Sequence, residues 1–285
     1  MSERTARRRH GALLAAIDEV ATDFDGCIAL AARELTEGAS VAYHADRKCP
    51  TASVIKLPIL VHVLLLAREG LLGLDEPLTL RDEDKVPGSG ILTRLTAGLT
   101  LSVRDACTLM VALSDNTATN LLIDRVGVHP VNERMRALGL AETTLHRKVF
   151  SQGPPVSASN RRYGLGVTTP REMLRLLRLL HEGRVGDAAT CTLARKILGT
   201  QQATDGIPRM LPRGCAFEGK GGAVDAVRND VGIVTLPNGR AVAMAIFCSR
   251  MPAPVWTADN PGLLVIARLA RMVVDGLARA DEVPG

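Results

Sequence analysis

A hydroxyl and an amine lie three residues apart at the start of an apolar stretch, in the run TASVIKLPIL that contains Ser53 and Lys56. Positions i and i+3 of a helix are neighbours on one face, so these two side chains can touch. The first helical turn also carries unpaired backbone N–H groups and the positive end of the helix dipole, which favour a developing alkoxide. Serine would be the nucleophile and lysine its base, provided that burial or a second cation depresses the lysine pKa. The pattern therefore predicts another positive charge at the site.

Two later motifs complete a set. Ser-Asp-Asn occupies residues 114–116 before the helical run 117–125, and Lys-Gly-Gly occupies residues 220–222 after a strand-like segment. A Ser-x-x-Lys pair alone is more often ordinary helix capping with a surface charge, but the three motifs in this order are specific together. The chain resembles the class A serine β-lactamases and the penicillin-binding proteins, whose signature is Ser-x-x-Lys, Ser-Asp-Asn and Lys-Thr-Gly. The resemblance covers nearly the whole chain.

The resemblance implies a role for each matched side chain of the first two motifs. Ser53 would be the nucleophile that accepts the acyl group, and Lys56 is a candidate for the base that removes its proton. Ser114 would relay a proton between Lys56 and the leaving nitrogen. Asn116 would donate its side-chain amide to a carbonyl of the substrate. Asp115 is expected to be structural and to hold the loop by hydrogen bonds to the backbone.

The third motif supplies the second cation and part of the substrate site in such enzymes. Lys220 would depress the pKa of Lys56 and attract an anionic substrate group. Gly222 completes the Lys-x-Gly motif, and the following residue, Ala223, would form the oxyanion hole through its backbone N–H together with that of Ser53. Losing one oxyanion donor typically raises the barrier by about 3 kcal/mol.

Two departures from the family pattern affect the expected chemistry. Class A enzymes carry a glutamate in the loop after Ser-Asp-Asn, where it activates the water that releases the acyl group. The local sequence puts Val149 at that position, and neither aspartate nor glutamate occurs between Glu142 and Glu172. His146 is the residue of this loop best suited by type to act as a base near neutral pH, although a surface imidazole is the simpler interpretation. Gly221 replaces a hydroxyl-bearing residue that usually binds the β-lactam carboxylate, so weaker binding of penicillin-like anions is expected.

Three functions fit these residues. The first is a serine hydrolase of the class A β-lactamase family, in which a lactam, amide or ester acylates Ser53 and β-lactam hydrolysis is weak. The second is a biosynthetic acyltransferase or esterase on the same scaffold, in which an incoming amine or alcohol replaces water. The third is a binding protein that stays acylated without turnover. Glutaminases and D-Ala-D-Ala peptidases share the fold but fit the motifs or the expected location less well.

Composition narrows the class of protein. The 285 residues are 46% hydrophobic, which is enough for a large core in a single domain over 1–285. The formal net charge is +5, but only 2% of the residues are aromatic, so a nucleic-acid partner is not expected. No apolar run is long enough for a membrane span, and the basic residues 1–10 precede an apolar segment too short for a signal peptide, so a cytoplasmic location is expected. A monomer is expected, although no sequence feature determines the oligomeric state. The six cysteines lack metal-binding spacing, so neither a metal nor a cofactor is expected.

The order of elements predicts an α/β fold of the α+β type, a five-stranded antiparallel sheet with flanking helices plus an inserted all-α subdomain. Residues 11–70 and 200–285 would form the α/β part, and residues 71–199 the α subdomain. Strands are predicted at 27–35, 40–45, 215–222, 227–236 and 240–248. Helices are predicted at 11–22, 53–70, 103–113, 117–125, 130–138, from 170 onward, and 261–278. Residues 146–167 are predicted to form a long loop, which in a compact domain is usually functional.

Overall fold

The computed structural model describes residues 3–278, with side chains described from residue 10 onward. The helices are α1 (Glu3–Asp23), α2 (Lys56–Arg68), α3 (Val103–Ala112), α4 (Asn116–Val126), α5 (Val128–Ala137), α6 (Ala158–Tyr163), α7 (Pro170–His181), α8 (Ala188–Leu198) and α9 (Pro261–Leu277). The strands are β1 (Cys27–Glu34), β2 (Ser40–Tyr43), β3 (Cys49–Pro50), β4 (Pro77–Thr79), β5 (Thr100–Ser102), β6 (Thr144–Leu145), β7 (Gly166–Thr168), β8 (Ala216–Val224), β9 (Val227–Thr235) and β10 (Ala241–Ser249).

The chain divides into two compact units. The sheet unit contains described residues 3–49, 169–178 and 204–278, and the helical unit contains residues 50–168 and 179–203. Residues 50–70 thus group with the helical unit, although the sequence assigned them to the α/β part. The physical reason is that residues 56–65 of α2 are all buried and the helix packs against α3, α4, α5 and α8 of that unit. A single domain over the whole chain stays a prediction.

The sheet unit is built on five antiparallel strands within the described residues, in the order β2-β1-β10-β9-β8. This confirms the predicted five-stranded antiparallel sheet. A turn at residues 237–239 joins β9 to β10, and Gly239 takes the positive φ of +83° that such a tight turn requires. Helix α9 packs on β9 and β10 through an apolar face that includes Ile266, Leu269 and Val273. Strand β8, which carries Lys-Gly-Gly, lies at one edge of the sheet.

The helical unit surrounds α2, in which residues 56–65 are all buried. Helix α3 begins at a capping box formed by Ser102 and Asp105. The predicted loop 146–167 is not entirely irregular, because Ser157 caps the short helix α6 by accepting a hydrogen bond from the Asn160 N–H. Within residues 3–278 no helix is long and apolar enough to cross a membrane.

Candidate active site

Ser53 lies in a 3-10 turn, Ala52–Ile55, and α2 begins only at Lys56. The sequence predicted both residues in one α-helical run. The Lys56 N–H instead donates to the Ser53 carbonyl, the i to i+3 bond of a 3-10 turn. With three residues per turn, residues i and i+3 eclipse each other, which keeps both on one face as predicted. Ala52 before the serine has a φ of +43°, a strained conformation of the kind found at functional sites.

The Lys56 amine is fully buried and points at the Ser-Asp-Asn motif. Its Nζ lies 2.6 Å from the Ser114 carbonyl oxygen, 3.1 Å from the Ser114 hydroxyl and 2.9 Å from Oδ1 of Asn116. Each of these oxygens can accept a hydrogen bond from an ammonium group. When the amine is neutral, the Ser114 hydroxyl becomes the donor to Nζ. The contact between Lys56 and Ser114 is therefore a path along which a proton can move in either direction.

Asp115 holds this motif in place. It is fully buried, and its carboxylate accepts hydrogen bonds from the N–H groups of Ile91 (2.7 Å), Leu92 (2.9 Å) and Ala118 (2.9 Å). The bond from Ala118 makes Asp115 the N-cap of α4. The preceding Ser114 has a φ of +53°, which costs energy for a residue other than glycine. Anchoring by Asp115 offsets that strain, which is the structural role expected from the sequence.

The loop of residues 85–92 accepts hydrogen bonds from Asn116. The Asn116 N–H donates to the Ser89 carbonyl at 3.0 Å, and its Nδ2 donates to the Pro87 carbonyl at 3.0 Å. A β carbon at Gly90 would come within 2.2 Å of the Asp115 carboxyl carbon, so the loop packs directly on the motif. An amide nitrogen carries two hydrogens. Binding to Pro87 leaves one of them for a ligand.

The sheet unit holds Lys220, Gly222 and Ala223 on β8. Lys220 is buried, and its Nζ donates to the Gly221 carbonyl at 2.8 Å. Burial lowers the pKa of Lys220 to about 8, although the Asp230 carboxylate opposes the shift. Burial likewise raises the pKa of Asp230 to about 7, against the effects of the Ile207 N–H and of Lys220. Lys220 therefore loses its positive charge in mildly alkaline solution.

A sequence model of the β-lactamase enzyme family matches residues 12–277. The chain belongs to this family. A carbapenem-hydrolysing β-lactamase KPC from Klebsiella oxytoca is 27% identical over 263 residues, which cover 90% of this chain and 85% of the relative. The crystal structure of a β-lactamase from Sphaerobacter thermophilus matches with a TM-score of 0.80 at 31% identity, covering 94% of this chain and 96% of that one. PBP-A, solved as a leucine-to-glutamate mutant in an acyl-enzyme complex with penicillin G, matches with a TM-score of 0.80 at 28% identity, covering 92% and 95%.

These matches confirm the resemblance to class A serine β-lactamases that the motifs indicated, and this family member is a serine hydrolase of the β-lactamase type. Of the residues selected from the sequence, the helical unit brings Lys56, Ser114 and Asn116 into contact next to Ser53. The catalytic and binding roles of the individual residues stay predictions. No group of metal-ligating side chains is assembled among residues 10–278, whose side chains the structure describes.

The structure shows how Val149 is held, the residue predicted to stand where the family has its glutamate. Val149 is buried, and its backbone is clamped by Asn120, which accepts from the Val149 N–H at 2.8 Å and donates to the Val149 carbonyl at 2.9 Å. Asn120 lies one turn after Asn116 on α4, so the two residues occupy one face of that helix. These two hydrogen bonds therefore hold Val149, an aliphatic residue, against the helix that begins at Asn116 of the Ser-Asp-Asn motif.

His146 is not arranged as a substitute base. Its Nδ1 lies 2.8 Å from the Gly164 carbonyl, and since a carbonyl only accepts, Nδ1 carries the hydrogen. Nε2 is buried and has no hydrogen-bond partner within residues 10–278. A nitrogen enclosed in this way offers no exposed lone pair to a water molecule, which favours a structural role for this histidine.

Three features that hold or tune the candidate site residues were not predicted from the sequence. They are the 85–92 loop, the Asn120 clamp on Val149 and the Asp230 partner of Lys220. The spacing of four residues between Asn116 and Asn120 was a usable signal, because it places two amides on one helix face. The 85–92 loop contacts residues more than 20 positions later and leaves no local pattern. Asp230 pairs with Gly221 across the neighbouring strands β8 and β9, so its closeness to Lys220 depends on the strand register.

Proposed function

We propose that β-lactams and related amides or esters acylate Ser53. The observation that carries this proposal is the fully buried Lys56 amine, which follows Ser53 by one turn and contacts both the Ser114 hydroxyl and the Asn116 amide. A buried amine bound to a hydroxyl and an amide next to a half-buried serine is arranged for proton transfer at that serine.

The acylation step balances with the groups present. The Ser53 oxygen adds to the carbonyl carbon of the lactam while its proton passes to neutral Lys56. The tetrahedral adduct then collapses and the carbon–nitrogen bond breaks. The leaving nitrogen takes a proton from the Ser114 hydroxyl, which recovers one from Lys56 across their 3.1 Å contact. The products are an ester on Ser53 and the free amine of the opened ring.

Substrate binding is assigned from the geometry of Asn116 and from the family motifs. The second N–H of the Asn116 amide donates to a carbonyl of the substrate. Lys220 binds the anionic group, and the backbone N–H groups of Ser53 and Ala223, the latter following Gly222, stabilise the oxyanion. The substrate class that follows is a small anionic lactam, amide or ester.

Release of the acyl group is slow in this proposal. Val149 supplies no carboxylate, and His146 has no exposed nitrogen for a water molecule. The acyl-enzyme therefore accumulates with β-lactams. The same observation favours a second candidate function, transfer of the acyl group to an amine or alcohol that is itself nucleophilic enough to need no carboxylate base.

Mass spectrometry of the intact protein after incubation with penicillin G tests the proposal. The expected result is a mass increase of one penicillin G molecule, located on Ser53 by peptide mapping and persisting for many minutes, with little turnover of a chromogenic cephalosporin. Ser53→Ala is expected to abolish the adduct. An adduct that survives in that variant would refute the nucleophile assignment. Addition of amines or alcohols to the adduct tests acyl transfer, since a product ester or amide supports the second candidate.

A further inference from the structure

Phe150 combines two unfavourable features. Its side chain is 56% exposed, and its φ is +54°, in the left-handed region that phenylalanine rarely adopts. Exposure of an aromatic ring forgoes the burial that would stabilise the fold, and the backbone conformation adds strain. Folding stability alone gives no reason for phenylalanine at this position, which points to a role in binding.

The ring lies beside the amide of Asn116. A β carbon built on Gly88 would stand 2.8 Å from Nδ2 of Asn116 and 3.2 Å from Cε2 of Phe150. The ring edge and the amide therefore flank the same point. Gly88 has no side chain, so the Phe150 ring can pack close to its backbone. Its φ of +88° also disfavours any other residue at this position.

The backbone on both sides of Phe150 is held. On one side, Asn120 clamps Val149 and Lys148 forms an ion pair with Asp124 at 2.5 Å. On the other side, the Arg147 guanidinium donates to the carbonyl oxygens of residues 151–154. These contacts fix the backbone that carries the ring, so the ring is a positioned surface and not a loose loop tip.

We propose that Phe150 determines substrate specificity by forming an apolar wall beside the Asn116 amide. The inference rests on the proposed function, in which that amide binds a carbonyl of the substrate. A carbonyl bound there places the group on its far side against the ring. The wall thus selects substrates whose acyl group carries an aromatic or bulky apolar substituent, such as an arylacetyl amide, over those with a methyl group.

Two boronic acids that differ only in this substituent test the proposal without a lactam. Phenylacetamidomethylboronic acid and acetamidomethylboronic acid both add to a serine oxygen, with the hydroxyl proton released to solvent, and calorimetry gives the Kd of each. We expect the wild type to prefer the aryl compound by about three- to tenfold, the range of an aromatic contact. Phe150→Gly, which relieves the strained φ while removing the ring, is expected to bring this preference close to one. Phe150→Tyr is expected to keep it.

Val156→Ala is the matched control, because Val156 is another exposed apolar residue of the same loop. It is expected to retain the wild-type preference. A role of Phe150 in folding alone would weaken both probes equally, and Phe150→Gly would not change their ratio. A preference that persists in Phe150→Gly overturns the inference. Ser53→Ala separates the two proposals: loss of both probes in that variant supports the nucleophile, whereas unchanged binding refutes the proposed function and this inference with it.

Discussion

Asp115→Ala should be among the most damaging single substitutions outside the reacting groups. The variant loses the N-cap of α4 and leaves the N–H groups of Ile91 and Leu92 without their acceptor. The carboxylate also anchors the residue that follows Ser114, whose φ is positive. The substitution therefore acts on stability and on the site at once.

The magnitude follows from the three bonds. Loss of an N-cap costs about 1 kcal/mol, and each buried N–H left unpaired costs about 1 to 3 kcal/mol. Relief from desolvating the carboxylate and entry of water at the exposed side of the loop offset part of this. The expected loss in the free energy of unfolding is about 3 to 5 kcal/mol.

Asp187→Ala is the matched comparison. Asp187 caps α8 by accepting from the Thr190 N–H at 2.8 Å, but its side chain is half-exposed and binds Arg68 at the surface. Its substitution removes a cap without stranding further buried N–H groups, so a loss of about 1 kcal/mol is expected. Urea denaturation followed by circular dichroism measures both variants, and penicillin G labelling at low urea reports on the site.

An Asp115→Ala variant whose free energy of unfolding lies within 1 kcal/mol of that of Asp187→Ala would refute this stabilising role of Asp115. Such a result would mean that the hydrogen bonds to Ile91 and Leu92 contribute nothing net. If Asp115→Ala is destabilised but is labelled at the wild-type rate, Asp115 stabilises the fold without positioning Ser114.

Three further predictions concern turnover, affinity and pH. Val149→Glu supplies a carboxylate at the position predicted for the family's water-activating base. Hydrolysis of the penicillin G adduct should therefore accelerate by about 10²-fold, seen as a shorter adduct lifetime by mass spectrometry. An unchanged lifetime would contradict the predicted placement. A β carbon at Gly221 would meet only ordinary contacts, 3.7 Å or more from neighbouring atoms. The hydroxyl added by Gly221→Thr should lower the concentration of penicillin G needed for half-maximal labelling by about three- to tenfold, with no gain for an uncharged ester. Because burial lowers the pKa of Lys220 to about 8, its charge is lost as pH rises through that value, and labelling by anionic penicillin G should fall there. Asp230→Asn removes the carboxylate that opposes this shift and should move the fall in labelling to lower pH, whereas Lys220→Arg should abolish the fall. Identical pH profiles in the wild type and both variants would exclude Lys220 as the titrating group.

Local patterns were sufficient for much of the fold. Alternation and turn residues located the five strands of the sheet. The start of α7 at Pro170 was predicted because proline is favoured at the first helical position. The structure adds that Thr169 accepts a hydrogen bond from the Glu172 N–H. The 3-10 turn at Ser53 was not foreseen, since a 3-10 turn and a first α-helical turn differ only in which carbonyl accepts each N–H. The short α6 was missed because six residues carry too little periodicity to register.

The sequence by itself determined the chemistry available to this protein, because residue type sets what a side chain can do: a serine, two lysines and an amide in a family order, and a valine where a carboxylate is usual. Only the tertiary structure decided how those groups are held. The 85–92 loop lies on Asp115 and Asn116, Asn120 clamps Val149, and the Phe150 ring lies beside Gly88. Each of these contacts joins residues more than 20 positions apart, and such pairs are chosen by packing of the whole unit and not by any pattern within one segment.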